Sequence, residues 1–137
     1  TFELPAEGGA AARGATSVAA LEAALDALSR VSELNNERRA ADQPTMALNV
    51  ALHLGEVAYG NVGSPTRLDF TVIGPAVNEV SRLEAMCDPL ERHLLISEAF
   101  ADALPGDGPR LLPLGRHGLR SVREPVSLFT VEEIPEP

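Results

Sequence analysis

The stretch FTVIGPAVNEVSRLE, Phe70 to Glu84, constrains the fold more than any other part of the chain. It opens as an apolar strand, breaks at Gly74-Pro75 and continues with the spacing of a helix, for which Pro75 is a favourable first residue. At ~100° per residue, Val77, Val80, Leu83 and Cys87 share one stripe, and Asn78 and Arg82 fall on nearly the opposite side. A strand that feeds straight into an amphipathic helix has to bury that helix on a sheet. The chain is therefore expected to be an α/β mixture, with one helix side turned outward and carrying an amide and a guanidinium.

The remaining pattern supports this class. A Gly- and Ala-rich run over residues 5–16 reads as a flexible connector. Thr16 or Ser17 is placed to cap a helix from about Val18 to about Ala41, where Leu21, Leu25, Leu28 and Val31 recur at helical spacing. Arg38 and Arg39 suit its C-terminus, and Asp42-Gln43-Pro44 stops it. The alternation in ALNVALHLG, Ala47–Gly55, marks a strand. Gly55, Gly60 and Gly63 then suggest a bulge, turn or close backbone approach rather than a long regular element. Ser64-Pro65-Thr66 reads as a turn, and LDFTVI, Leu68–Ile73, as a second strand. After the central helix, to about Met86, come a strand at Arg92–Ser97, a short helix in EAFADAL and two strands in the tail. Strand pairs joined by turns imply a mostly antiparallel or mixed sheet with helices on a face. The division expected is a strand end and connector over 1–16 and a core over 17–137.

Charge narrows the function. The net charge of −9 excludes a non-specific nucleic-acid or anionic-membrane binder, since both need surplus cations. It leaves room for a small anion held by a few placed arginines. The single Cys87 cannot bridge within the chain, no apolar run is long enough to span a bilayer, and the opening residues lack a signal pattern, so a cytoplasmic setting is expected. For the Asn78–Arg82 side, two readings stand open on spacing alone. One is a solvated helix face. The other is an anion site in which the arginine fork grips phosphate and the amide fixes an oxygen.

A longer pattern bears on the choice. His53, Gly55, Val57, Gly60, Val62 and Gly63 are followed by Phe70, Thr71, Gly74, Val77, Asn78, Ser81, Arg82, Leu83 and Glu84, and the chain closes with LGRHGLRSVREPVSLFTV. From Leu48 to Val131 this order resembles the class III adenylate and guanylate cyclase catalytic domain. The resemblance implies a ferredoxin-like cyclase fold of the α+β kind. It also implies conversion of ATP or GTP to the 3′,5′-cyclic nucleotide and pyrophosphate, with two Mg²⁺ or Mn²⁺ ions, at sites shared across a head-to-tail dimer.

By the same resemblance Asn78 orients the ribose and Arg82 stabilises charge on the α-phosphate. Thr71 reads the purine and leans towards ATP. Arg120 stands where the family has a lysine for the terminal phosphates, and Arg67 is a further candidate for phosphate. His53 reads as a packing or hydrogen-bonding residue, Glu56 and Glu79 as surface carboxylates, and His93 and His117 lack partners at metal spacing.

The family's opening strand and hairpin carry two metal-binding aspartates. Asp26, Asp42, Asp69, Asp88, Asp102 and Asp107 all lack the flanking pattern. The resemblance thus implies the C-terminal portion of a cyclase domain, inactive alone and working with a second copy or a complementing half. A non-catalytic dimerisation or regulatory module and a plain α/β interaction domain remain the alternatives.

Overall fold

The computed structural model describes residues 2, 9–64, 67–120, 122–135 and 137, with the side chains of 62–70 outside the description. The turn read at Ser64-Pro65-Thr66 and the strand end read at Thr1-Phe2 lie largely outside the described residues. The elements run α1 (Gly9–Ala40), β1 (Val50–Leu52), β2 (Ala58–Ser64), β3 (Arg67–Ile73), α2 (Pro75–Glu84), β4 (Leu94–Ser97), α3 (Glu98–Ala103), β5 (Leu111–His117) and β6 (Val126–Val131).

α1 starts well before the expected Val18. The described part of the proposed connector, from Gly9 on, is helical, and Ser17 is buried inside the helix rather than capping it. Alanine-rich sequence favours a helix, and the glycine that suggested flexibility has a packing use. A Cβ on Gly14 would stand 3.5 Å from the Ala103 carbonyl oxygen and 3.8 Å from Pro105 Cδ, so the bare backbone lets α1 lie close to the end of α3. The helix ends as expected: Asp42 takes φ 55°, and the Gln43 amide donates back to the Arg38 carbonyl at 2.8 Å. That is the left-handed stop with its six-to-one bond.

Four strands form one sheet in the order β1-β4-β6-β5, with β1 parallel to β4 and the other pairings antiparallel. Helices cover both faces of this mostly antiparallel sheet rather than the single face expected. β4 shows why. Leu94 and Ile96 point into a cluster with Leu21, Leu28 and Phe100 from α1 and α3, while Leu95 between them joins Leu83 and Cys87 beneath α2. Period-two alternation in one central strand thus feeds two cores.

β2 and β3 pair antiparallel over seven residues as a separate two-stranded sheet. The glycine-spaced segment expected to be irregular therefore contains a full strand, in which Gly60 opposes Thr71 and Gly63 opposes Leu68. Glycine contributes no side chain to an alternation, so the segment hides its period.

Candidate functional site around helix α2

α2 is ten residues long, starts at Pro75, and has no side-chain cap on its N-cap residue Gly74. Gly74 has φ 140°, and a Cβ there would approach the Glu56 carbonyl oxygen to 3.1 Å. Both facts require glycine at the junction between strand and helix. Ala76 and Leu83 are buried on the sheet side, and Cys87 just beyond the helix continues that stripe. Asn78 is exposed and Arg82 half-buried, on the side away from the core. The outward pair read from the sequence is present.

A cavity of about 310 Å³ opens on this side, lined by Asn78, Ser81, Arg82, Ala85, Met86 and Arg120. Arg120 arrives from the loop between β5 and β6, so the sheet topology unites residues 38 positions apart (120 − 82). Among the described residues neither guanidinium has a hydrogen-bond or ion-pair partner, and no carboxylate lines the cavity. In a chain with 20 acidic side chains and 11 basic ones, two arginines left together without an acid are poised for an anion from outside. The Ser81 hydroxyl donates to the Val77 carbonyl at 2.9 Å, which leaves its lone pairs facing out.

Thr71 is half-buried on β3 opposite Gly60 and does not line this cavity. Arg67 is the first residue of β3, with its side chain outside the described residues. A larger cavity of about 600 Å³ lies elsewhere, between α1, the end of α3 and the 105–111 loop. Its charged lining is Glu22, Asp107 and Arg110, so it lacks the surplus of cations that marks the α2 side.

Known proteins resemble this chain in sequence and in fold. No family model matches the chain. It is 34% identical to an adenylate cyclase of Anabaena cylindrica over 84 residues, 58% of this chain and 17% of that protein. It is 33% identical to adenylate cyclase 1 of Rhizobium meliloti over 96 residues, 70% of this chain and 14% of that protein. The crystal structure of the adenylyl cyclase CyaB from P. aeruginosa superposes with a TM-score of 0.75 at 25% identity, covering 96% of this chain and 65% of that one. The chain belongs to the class III nucleotide cyclase family. This cyclase chain spans under a fifth of the length of the two curated relatives.

The divalent ions that such a cyclase implies do not fit the residues described. Among them no group of three His, Cys, Asp or Glu side chains stands where it could hold a metal, and no buried polar side-chain atom lacks a partner. The histidines are engaged within the fold. His93 Nδ1 is 3.0 Å from Asn49 Oδ1, His117 Nε2 donates to the Leu114 carbonyl at 2.7 Å, and His53 bridges Ser97 and Glu79. Glu79, read from the sequence as a surface carboxylate, is exposed and also paired with His53. No described helix is long and apolar enough to cross a membrane.

Two features were not anticipated. Asn35 is fully buried in α1, and its side chain both donates to and accepts from the Met46 backbone at 2.8 Å. The His53–Glu79 contact is the other, and no local period signals either.

Proposed function

We propose that this chain supplies the α2 part of a nucleoside triphosphate site in a nucleotide cyclase that converts ATP, and GTP less readily, to the 3′,5′-cyclic nucleotide and pyrophosphate. The observation that carries the reading is the pair of guanidiniums, Arg82 and Arg120, without a partner among the described residues and converging with Asn78 on a cavity that no described carboxylate lines. A triphosphate offers the oxygens that two arginine forks require. Arg82 meets the α-phosphate, where negative charge develops as the ribose 3′-hydroxyl attacks, and Arg120 meets the terminal phosphates. Asn78 holds the ribose, so the reacting atoms are aligned before the step. Thr71 on the neighbouring ribbon reads the base and favours adenine, in keeping with the two relatives described as adenylate cyclases. Arg67 adds a phosphate contact.

The cavity is open and at the small end for a nucleotide, which fits a site completed by a second copy or a complementing cyclase half. Magnesium or manganese would polarise the phosphates and activate the hydroxyl when bound. Because none of the six aspartates carries the flanking pattern of the family's two metal ligands, this reading has the 137-residue chain inactive by itself. A cytoplasmic setting suits a triphosphate substrate.

Titrating the chain with a fluorescent ATP analogue and its GTP counterpart tests the proposal. Saturable binding is expected, tighter for ATP. Arg82→Ala weakens it by about 30-fold, the scale of one charge-assisted phosphate contact worth ~2 kcal/mol, with the melting temperature unchanged. Binding by the variant within twofold of the parent refutes the assignment. Binding intact but no turnover, even with an added cyclase half carrying metal ligands, selects the non-catalytic module instead.

A further inference from the structure

His53 stands just past β1 with its ring only 12% exposed, and each ring nitrogen has a partner. The Ser97 hydroxyl caps α3 by accepting from the Phe100 amide at 3.2 Å, so its own proton is available to His53 Nδ1 at 2.9 Å. In neutral His53 that leaves the ring proton on Nε2, where it donates to Glu79 Oε2 at 2.9 Å. Glu79 is on α2. At ~100° per residue it lies between the buried Leu83 stripe and the outward side, about 60° from Arg82 and about 100° from Asn78.

The first turn of α2 needs such a hold. Its N-cap is a glycine without a side-chain bond, and the only buried residue in that turn is the small Ala76. Gly55 completes the arrangement. A Cβ on Gly55 would lie 2.7 Å from Ala76 Cβ and 3.1 Å from His53 Nε2. Any side chain there would push the first turn off the sheet and crowd the imidazole. The His53-Leu54-Gly55 spacing thus has a physical reason: the glycine lets α2 come close enough for the histidine to reach its glutamate.

We infer that His53 is a positioning residue, clamping Glu79 against the Ser97 cap and so fixing the roll of α2 that aims Asn78 and Arg82. This rests on the nucleotide-site reading of that pair. With side-chain tips ~5–6 Å from the helix axis, a 10° roll moves them by about 1 Å, and errors of ~1 Å cost as much as ~100-fold where geometry is critical.

The test compares His53→Ala, His53→Gln, Glu79→Ala and Gly55→Ala in the chain. The readouts are affinity for a fluorescent ATP analogue, melting temperature, and hydrogen exchange at the Asn78 and Glu79 amides. His53→Ala and Glu79→Ala each weaken binding by about tenfold, the scale of one hydrogen bond to a charged group, and the double variant loses no more than either. His53→Gln, which places an amide donor near Nε2, restores most of the affinity. Gly55→Ala behaves like His53→Ala. Should His53→Ala unfold the chain, Glu79→Ala decides, because it removes the clamp from its exposed end. Binding within twofold of the parent in Glu79→Ala, or no rescue by glutamine, overturns the inference. If the parent itself binds no nucleotide, the nucleotide reading falls and exchange decides the clamp. Faster exchange in His53→Ala, reversed in His53→Gln, upholds it, and unchanged exchange ends it.

Discussion

Raising the pH from 8 to 11 should unseat α2, and a single atom sets the size of the effect. Cys87 Sγ lies fully buried at the end of the α2 stripe, 3.9 Å from the Val50 carbonyl oxygen on β1. Burial pushes its thiol up from 9.0 to about 11, with the Glu84 and Asp88 carboxylates adding to the shift. The native state therefore keeps its proton where the unfolded chain has lost it, and unfolding releases a proton throughout that window. Stability is fully present below pH 9 and drains away as the pH climbs through 11. A shift of about two units corresponds to a loss of about 2.7 kcal/mol at most. The background is unusually clean. All 11 basic side chains are arginine, none is lysine, and arginine keeps its charge across this range. Every other titratable group is common to the parent and a Cys87→Ala control. Urea denaturation followed by circular dichroism at half-unit steps would give the two curves. The parent should lose about 2.3 kcal/mol more than the control between pH 8 and 11, since the native thiol is still half protonated at the upper end. Parallel curves would show that the thiolate forms without penalty, and the tight seat of α2 on β1 and β4 would have to be abandoned.

Two further outcomes separate the apolar side of the fold from its polar side. Leu83→Ala, at a side chain only 2% exposed, should destabilise the chain by about 3 kcal/mol in a denaturant titration, since neighbours cannot fill the space. Asn35→Ala should cost about 2 kcal/mol and expose the 41–49 loop to protease, because both bonds to the Met46 backbone go at once.

How far the sequence disclosed all this differs from place to place. The strand, glycine and proline before α2 and its outward pair are local features that periodicity reveals; of the expected stripe Leu83 and Cys87 are buried, whereas Val77 and Val80 are half-buried and Ala76 takes the inner place. Residues 9–16 mislead because glycine signals a break when read alone, whereas Gly14 serves a contact with α3 more than eighty residues away. β2 is hidden for a related reason: Gly60 and Gly63 interrupt any alternation, and cross-strand pairing with β3 supplies what the single strand lacks. At the site, Asn78 and Arg82 belong to one helix and could be paired from spacing. Arg120 is legible only through the resemblance, because the β4-β6-β5 order, not local spacing, brings it to the cavity. The His53–Glu79 contact spans two elements with no common period, so only the folded chain displays it.

The β2–β3 ribbon is bonded to itself and not to the four-stranded sheet. A lone hairpin is marginal in water, so this one depends on whatever it leans against. It carries Thr71, whereas Asn78, Arg82 and Arg120 ride on the main body, and Gly74 joins the two pieces. Under the proposed function, choosing a nucleotide and gripping one would thereby fall to separate pieces of this molecule. Exchanging the ribbon with Arg67 retained should re-tune the first while leaving the second in place.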